Sequence, residues 1–237
     1  MHHKNTIVIY RMNIGLQIII GFLLADIITG AFHWVEDTYF DYCIDLPIIS
    51  TISKDNELHH YFPRSMLAFS YLDHITYSLP LTFIIIFLLY LSNKSIILKY
   101  PYLLISFVFF CIVSNIIHRF SHMRECENHF IISFLQKTGI LCSHNHHLLH
   151  HTETDGRYCV ITEYNNYVLD FINFWRILEY IIYLLTNIKP NRKKSYDDYY
   201  MIHNHMHKNA KLVCPDKPTK QDIDELIEKL QIYKKCA

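Results

Sequence analysis

The stretch IGLQIIIGFLLADIITGAFHW, residues 14–34, decides the reading of this chain. It is apolar over a length that suits a membrane-spanning helix, which needs ~20 residues and no fewer than ~17. Yet it carries a carboxylate at Asp26 and ends on a histidine at His33. Asp26, Gly30, His33 and Asp37 fall at helical spacing and line one helix face. A carboxylate inside an apolar run is costly and usually has a working partner. The expectation is that Asp26 accepts a hydrogen bond from a metal-bound imidazole and fixes its tautomer.

Two more segments are similarly apolar, about Ile75–Leu91 and about Pro101–Ile117. Both are marginal in length and read as helices that continue beyond the lipid into a polar cap. A fourth region, Val160–Ile188, mixes aromatics with Glu163, Asp170, Arg176 and Glu179. It reads as an interfacial amphipathic helix or a re-entrant pair. The expected fold is all-α and integral to the membrane, with three to four transmembrane helices extended into a cap that holds a histidine-rich metal site. Residues 1–188 form the membrane-embedded domain and 189–237 a polar, basic tail with a short helical pattern at Lys220–Tyr233.

Composition narrows the function classes. Lys+Arg and Asp+Glu are both 22, so the chain lacks the positive surplus of a general nucleic-acid binder. Five glycines, and neither GxxxxGK nor GxGxxG, leave no phosphate-cradling loop. Seven cysteines, at 43, 111, 126, 142, 159, 214 and 236, show no CxxC pair and read as reduced thiols. The outlying number is 17 histidines. Neutral imidazole is the commonest side-chain metal ligand.

The histidines are clustered. His59 and His60 are adjacent in ELHHYFP. His118 and His122 form HxxxH in HRFSH. HNHHLLHH, residues 144–151, holds His146, His147, His150 and His151 at i,i+3 and i,i+4 spacings. Such spacings put imidazoles on one helix face, at chelating separation. Together with His33 these are nine candidate ligands, too many for one four-coordinate ion and suited to two metals with open positions. His203, His205 and His207 in the tail read as a solvated run. If all three apolar segments span, the clusters after the first and third emerge on the same side. The Lys/Arg bias, chiefly from the tail, favours that side as cytoplasmic. There is no HExxH and no GxSxG. An all-histidine pair of metals against lipid points to O2 activation and attack on an unactivated C–H bond, that is desaturation or hydroxylation. A non-catalytic membrane metal-binding protein is the competing class.

The ordered motifs resemble one family. ADIITGAFHWVEDT at 25–38, DLP at 45–47, ELHHYFP at 57–63, HRFSH at 118–122, HHLLHH at 146–151, YCVIT at 158–162 and FWRILE at 174–179 together resemble the Kua-type lipid desaturases. That family includes plasmanylethanolamine and plastid phosphatidylglycerol palmitate desaturases. The resemblance implies a desaturase with two irons, O2 as co-substrate and an electron donor such as cytochrome b5, in the endoplasmic reticulum. It implies the nine histidines as the ligand pool and Asp37 as the acid of the HWxxD motif. The substrate it implies is a membrane phospholipid, foremost a 1-alkyl phospholipid converted to the vinyl ether of a plasmalogen. An acyl-lipid desaturase or hydroxylase is the alternative. Thr154-Asp155 replaces the plasmanylethanolamine desaturases' Pro-His after the third histidine box, which makes Asp155 a candidate carboxylate ligand. Phe120 replaces the usual tryptophan.

Overall fold

The computed structural model describes residues 12–41, 44–92, 94–153, 155–191 and 214–230. The tail histidines 203, 205 and 207, cysteines 43 and 236, and Thr154 lie outside the described residues. Among the described residues every regular element is helical.

Three helices are long and apolar enough to cross a membrane: α1 (Ile14–Thr38), α3 (Tyr71–Ser92) and α5 (Pro101–Ser121). At 1.5 Å per residue each exceeds the ~30 Å hydrocarbon layer. Local chemistry sets their ends. Asn13 Oδ1 accepts from Gly15 N at 2.8 Å to cap α1. Ser70 and Asp73 cap α3 reciprocally, Asp73 Oδ2 accepting from Ser70 N at 2.8 Å and Ser70 Oγ from Asp73 N at 3.2 Å. Pro101 opens α5, where no amide proton is needed.

α1 and α5 run side by side in the same direction. Ser106 Oγ donates to Ile18 O at 2.8 Å near one end, and the His33 and His118 rings lie 5.4 Å apart near the other. Gly21 makes this possible, because a Cβ there would collide with the backbone of Leu103. α3 returns between them in sequence. The histidine-bearing ends of α1 and α5 therefore share one end of the bundle, as the parity of three spans requires.

That end is built up by short elements. α2 (Pro47–Tyr61) follows α1 and leads through a 3-10 turn, Pro63–Ala68, into α3. The six-residue α4 (Lys94–Lys99) joins α3 to α5. Then come α6 (Phe130–Lys137), α7 (His144–Glu153), α8 (Glu163–Phe171) and α9 (Phe174–Thr186). The fourth apolar region forms the pair α8 and α9, hinged at Asn173 in the left-handed conformation (φ 53°). With 13 residues, α9 is about 20 Å long and too short to span. One face of α9 packs Trp175 and Leu178 against Trp34, while Tyr180, Leu184 and Leu185 stay exposed, as an interfacial helix requires. The described spans number three.

In the tail, α10 (Lys220–Leu230) docks Ile223 and Leu226 against Leu58, Tyr61 and Phe62. The tail helix thus packs directly behind His59 and His60.

Candidate metal centre

Four elements bring histidines to one buried point. α1 supplies His33 and, one turn on, Asp37. α2 supplies His59 and His60. The end of α5 supplies His118 and His122, and α7 supplies His147, His150 and His151. Two groups form. His59, His122, His147 and His151 offer ligand atoms all within 4.8 Å of one another, and so do His33, Asp37, His60 and His150. All seven histidines are buried.

The first group is nitrogen against nitrogen. His151 Nε2 lies 3.0 Å from His147 Nε2, and His147 Nε2 lies 3.2 Å from His122 Nε2. His118 adjoins this group, its Nε2 2.9 Å from that of His147 and 3.1 Å from that of His122. Metal–nitrogen bonds of about 2.1 Å set at right angles place ligand nitrogens about 3.0 Å apart. The spacing therefore fits the edges of a coordination polyhedron. Burial, and then the charge of neighbouring imidazoles, holds His59, His122, His147 and His151 well below the ordinary histidine range. They stay neutral, the form that ligates metal.

The second group is centred on Asp37. His60 Nε2 lies 3.1 Å from Oδ1; His150 Nε2 and His33 Nε2 lie 3.2 and 3.5 Å from Oδ2. Asn56 Nδ2 donates to Oδ1 at 2.7 Å and orients the carboxylate. The far sides of two rings are held by backbone carbonyls. His33 Nδ1 lies 3.2 Å from Tyr158 O, and His150 Nδ1 2.8 Å from Gly156 O. A proton on each Nδ1 leaves the Nε2 lone pair facing the group centre. Among the described residues, His33 Nε2 and His59 Nε2 are buried without a hydrogen-bond partner. Orphans of that kind converging on two points are what a pair of bound cations would satisfy.

The other expected site residues stand elsewhere. His146 turns away from both groups: its Nε2 accepts from Asn166 Nδ2 at 3.1 Å, and its Nδ1 lies 3.8 Å from Glu163. Asp155 is exposed, 3.4 Å from Arg176. Asp26 is fully buried, and among the described residues its partners are backbone and amide groups and not an imidazole, unlike the role expected for it. Its Oδ1 accepts from Ile161 N at 2.7 Å and Thr162 N at 3.3 Å, and its Oδ2 accepts from Asn165 Nδ2 at 2.8 Å. Asp26 thus pins the extended segment 158–162 along α1, and that segment carries the Tyr158 carbonyl to His33. Gly30 permits the approach, since a Cβ there would lie 2.7 Å from Cys159 Sγ.

Sequence reasoning missed Asn56, Asn166 and the Gly156 carbonyl, which carry no motif of their own. It also missed His74, buried on α3, its Nε2 3.2 Å from Met66 O. A cavity of about 470 Å3 reaches His33, His59, His74 and His118 from between α2, α3 and α5.

Comparison with known proteins finds relatives along most of the chain. The chain is 36% identical over 181 residues to a protein of Acanthamoeba polyphaga mimivirus named "Probable fatty acid desaturase", covering 76% of this chain and 87% of that one. It is 29% identical over 184 residues to plasmanylethanolamine desaturase 1 of Mus musculus, covering 74% and 67%. It is 26% identical over 172 residues to fatty acid desaturase 4-like 2, chloroplastic, of Arabidopsis thaliana, covering 72% of this chain and 60% of that protein's length. No solved structure matches. A family model described as a lipid desaturase domain matches residues 22–193, which include both groups of candidate ligands and the segment that supports them; the chain belongs to that family.

Proposed function

We propose that the chain is a di-iron lipid desaturase that forms the vinyl-ether double bond of plasmalogens from a 1-alkyl phospholipid. The observation that carries this reading is the pair of buried donor groups at one end of three apolar helices, reached by a cavity. His59, His122, His147 and His151, with His118 adjoining, would hold one iron. His33, Asp37, His60 and His150 would hold the other. Imidazole with carboxylate suits iron that must keep positions open for O2.

When bound, two irons supply the oxidising power to take two hydrogens from adjacent carbons. The balance is one CH2–CH2 unit, O2, two electrons and two protons giving CH=CH and two waters. The electrons come one at a time from an external carrier such as cytochrome b5. The protein's share is geometric. The Tyr158 and Gly156 carbonyls orient His33 and His150, Asn56 orients Asp37, and the packed cap keeps bulk water from the reacting carbons. The basic tail favours the cytoplasmic side for the metal centre and, with the lipid substrate, the endoplasmic reticulum as location.

An acyl-lipid desaturase is the second reading, favoured by the name of the viral relative at 36% identity. Both are tested by lipid mass spectrometry of cells that lack plasmalogens, with this chain, without it, and with His147→Ala. Acid-labile vinyl ethers that appear only with the intact chain support the first reading. A new acyl double bond moves the substrate to the second. No new double bond from an expressed, iron-loaded protein sinks both.

A further inference from the structure

The cavity against the two histidine groups has an outward-facing edge. It is bounded by Ile48 and Ile52 on α2 and by Tyr77 and Pro80 on α3. Ile48 is 77% and Tyr77 54% exposed, so this edge faces outward from the bundle. α3 is one of the spans, and the edge therefore opens sideways toward lipid. The inner wall is His33, His59 and His118, with Thr29, Leu81 and Cys111 beyond. A volume of about 470 Å3 is within the ~300–1,000 Å3 of a small-ligand site and too little for a whole two-chain lipid. One chain fits, with the rest left in the bilayer.

The wall is not wholly apolar. Asn115 lines it from α5, one turn or about 4.5 Å along the axis before His118. The residue is half-buried, and none of the hydrogen bonds seen between described residues uses its amide. Inside a spanning helix an unpaired amide is costly, and pure hydrocarbon would leave it unpaired. An occupant that carries an oxygen close to the carbons that meet the metal centre would pair it. In a glycerolipid that oxygen joins the chain to the glycerol backbone, in ether and acyl lipids alike.

We propose that this cavity takes one hydrocarbon chain of a membrane lipid, entering sideways between α2 and α3, and that Asn115 donates a hydrogen bond to the linkage oxygen. The contact sets which carbons lie against His33 and His118. The assignment rests on the desaturase reading for its chemistry, but the occupancy of the cavity can be read without it.

The test uses the full chain in vesicles of a 1-alkyl-2-acyl phospholipid, with iron measured alongside. Ile52→Trp narrows the opening; Phe87→Trp adds the same indole to an exposed face of α3 outside the cavity. Ile52→Trp is expected to lower the lipid that co-purifies with metal-free protein at least fivefold, and Phe87→Trp to leave it unchanged. Equal retention in the two overturns the entry route. Asn115→Leu removes the donor and is expected to spread the new double bond over neighbouring positions. Asn115→Gln carries the donor one methylene further and is expected to shift the bond along the chain. A double bond at the wild-type position in both variants, at whatever rate, overturns the anchor. Wild-type protein that is iron-loaded and retains lipid through the Ile52 opening, yet forms no double bond, would sink the desaturase reading and leave the entry route standing.

Discussion

Asp37 Oδ2 lies 3.2 Å from His150 Nε2, so the end of the first span and the third histidine box meet on one carboxylate. His33 and His60 approach the same side chain, and Asn56 steadies it. Asp37→Asn keeps the shape but halves the acceptor capacity and removes the charge. The expected outcome is a fall in bound iron from two toward one per chain, because the His59, His122, His147 and His151 group does not use Asp37. Activity should fall by at least about 100-fold, beyond the ~10–100-fold typical of lost supporting contacts. Metal analysis of purified protein checks the stoichiometry; two irons retained would contradict the assignment of Asp37 as a ligand.

His146 and His147 are neighbours with different surroundings. His147 sits among nitrogens, whereas His146 bonds Asn166, which also links to both the N–H and the carbonyl of Cys159. His147→Ala is expected to abolish metal binding at its group and with it turnover. His146→Ala should keep both metals and lose about 1–3 kcal/mol of stability through the unpaired Asn166 donor. Thermal unfolding beside metal content separates the two, and loss of iron in His146→Ala would return that residue to the ligand set.

That contrast marks how far sequence reading reaches. The i,i+4 pairs His118/His122 and His147/His151 were legible because helix geometry alone puts them on one face. So were the three spans, although each helix outruns its apolar run, and with them the shared end. His146 shares the same spacing logic with His150, but its ring is taken by Asn166 of another helix. Asp26 likewise announced itself by its cost inside an apolar run, while its partners, the amides of Ile161 and Thr162, lie far along the chain. Periodicity sees one helix at a time and cannot name a partner brought in by packing.

Arg64 follows the His59–His60 pair and clamps Glu127 through two hydrogen bonds, at 3.0 and 2.8 Å. Those bonds hold the Glu127 carboxyl at about 2, below its ordinary 4.5. A depressed carboxylate stabilises the fold above its unfolded value and loses that contribution as pH falls through the folded one. Glu127→Gln is therefore expected to lower stability at pH 7 by about 1 kcal/mol or less for a partly exposed pair, read as a lower melting temperature. The gap should close as pH drops from about 4.5 toward 2. A gap that persists unchanged at pH 2 would show that charge is not what Glu127 contributes.

Asp26→Asn tests whether the buried carboxylate works on the metal or on the backbone. Asparagine can place its one oxygen where Oδ1 accepts from Ile161 and Thr162, but its amide then faces the Asn165 amide, donor against donor. Asn165 cannot turn over freely, because the same nitrogen donates to Leu23 O at 3.0 Å. One buried bond is lost whichever way the amides settle, at about 1–3 kcal/mol. The effect should appear first as a lower melting temperature and faster amide exchange along 158–162, with both irons kept. Activity should fall less than in Asp37→Asn, since His33 is disturbed only through the Tyr158 carbonyl. Loss of iron with the melting temperature intact would be the opposite pattern, and would put Asp26 back at the metal centre.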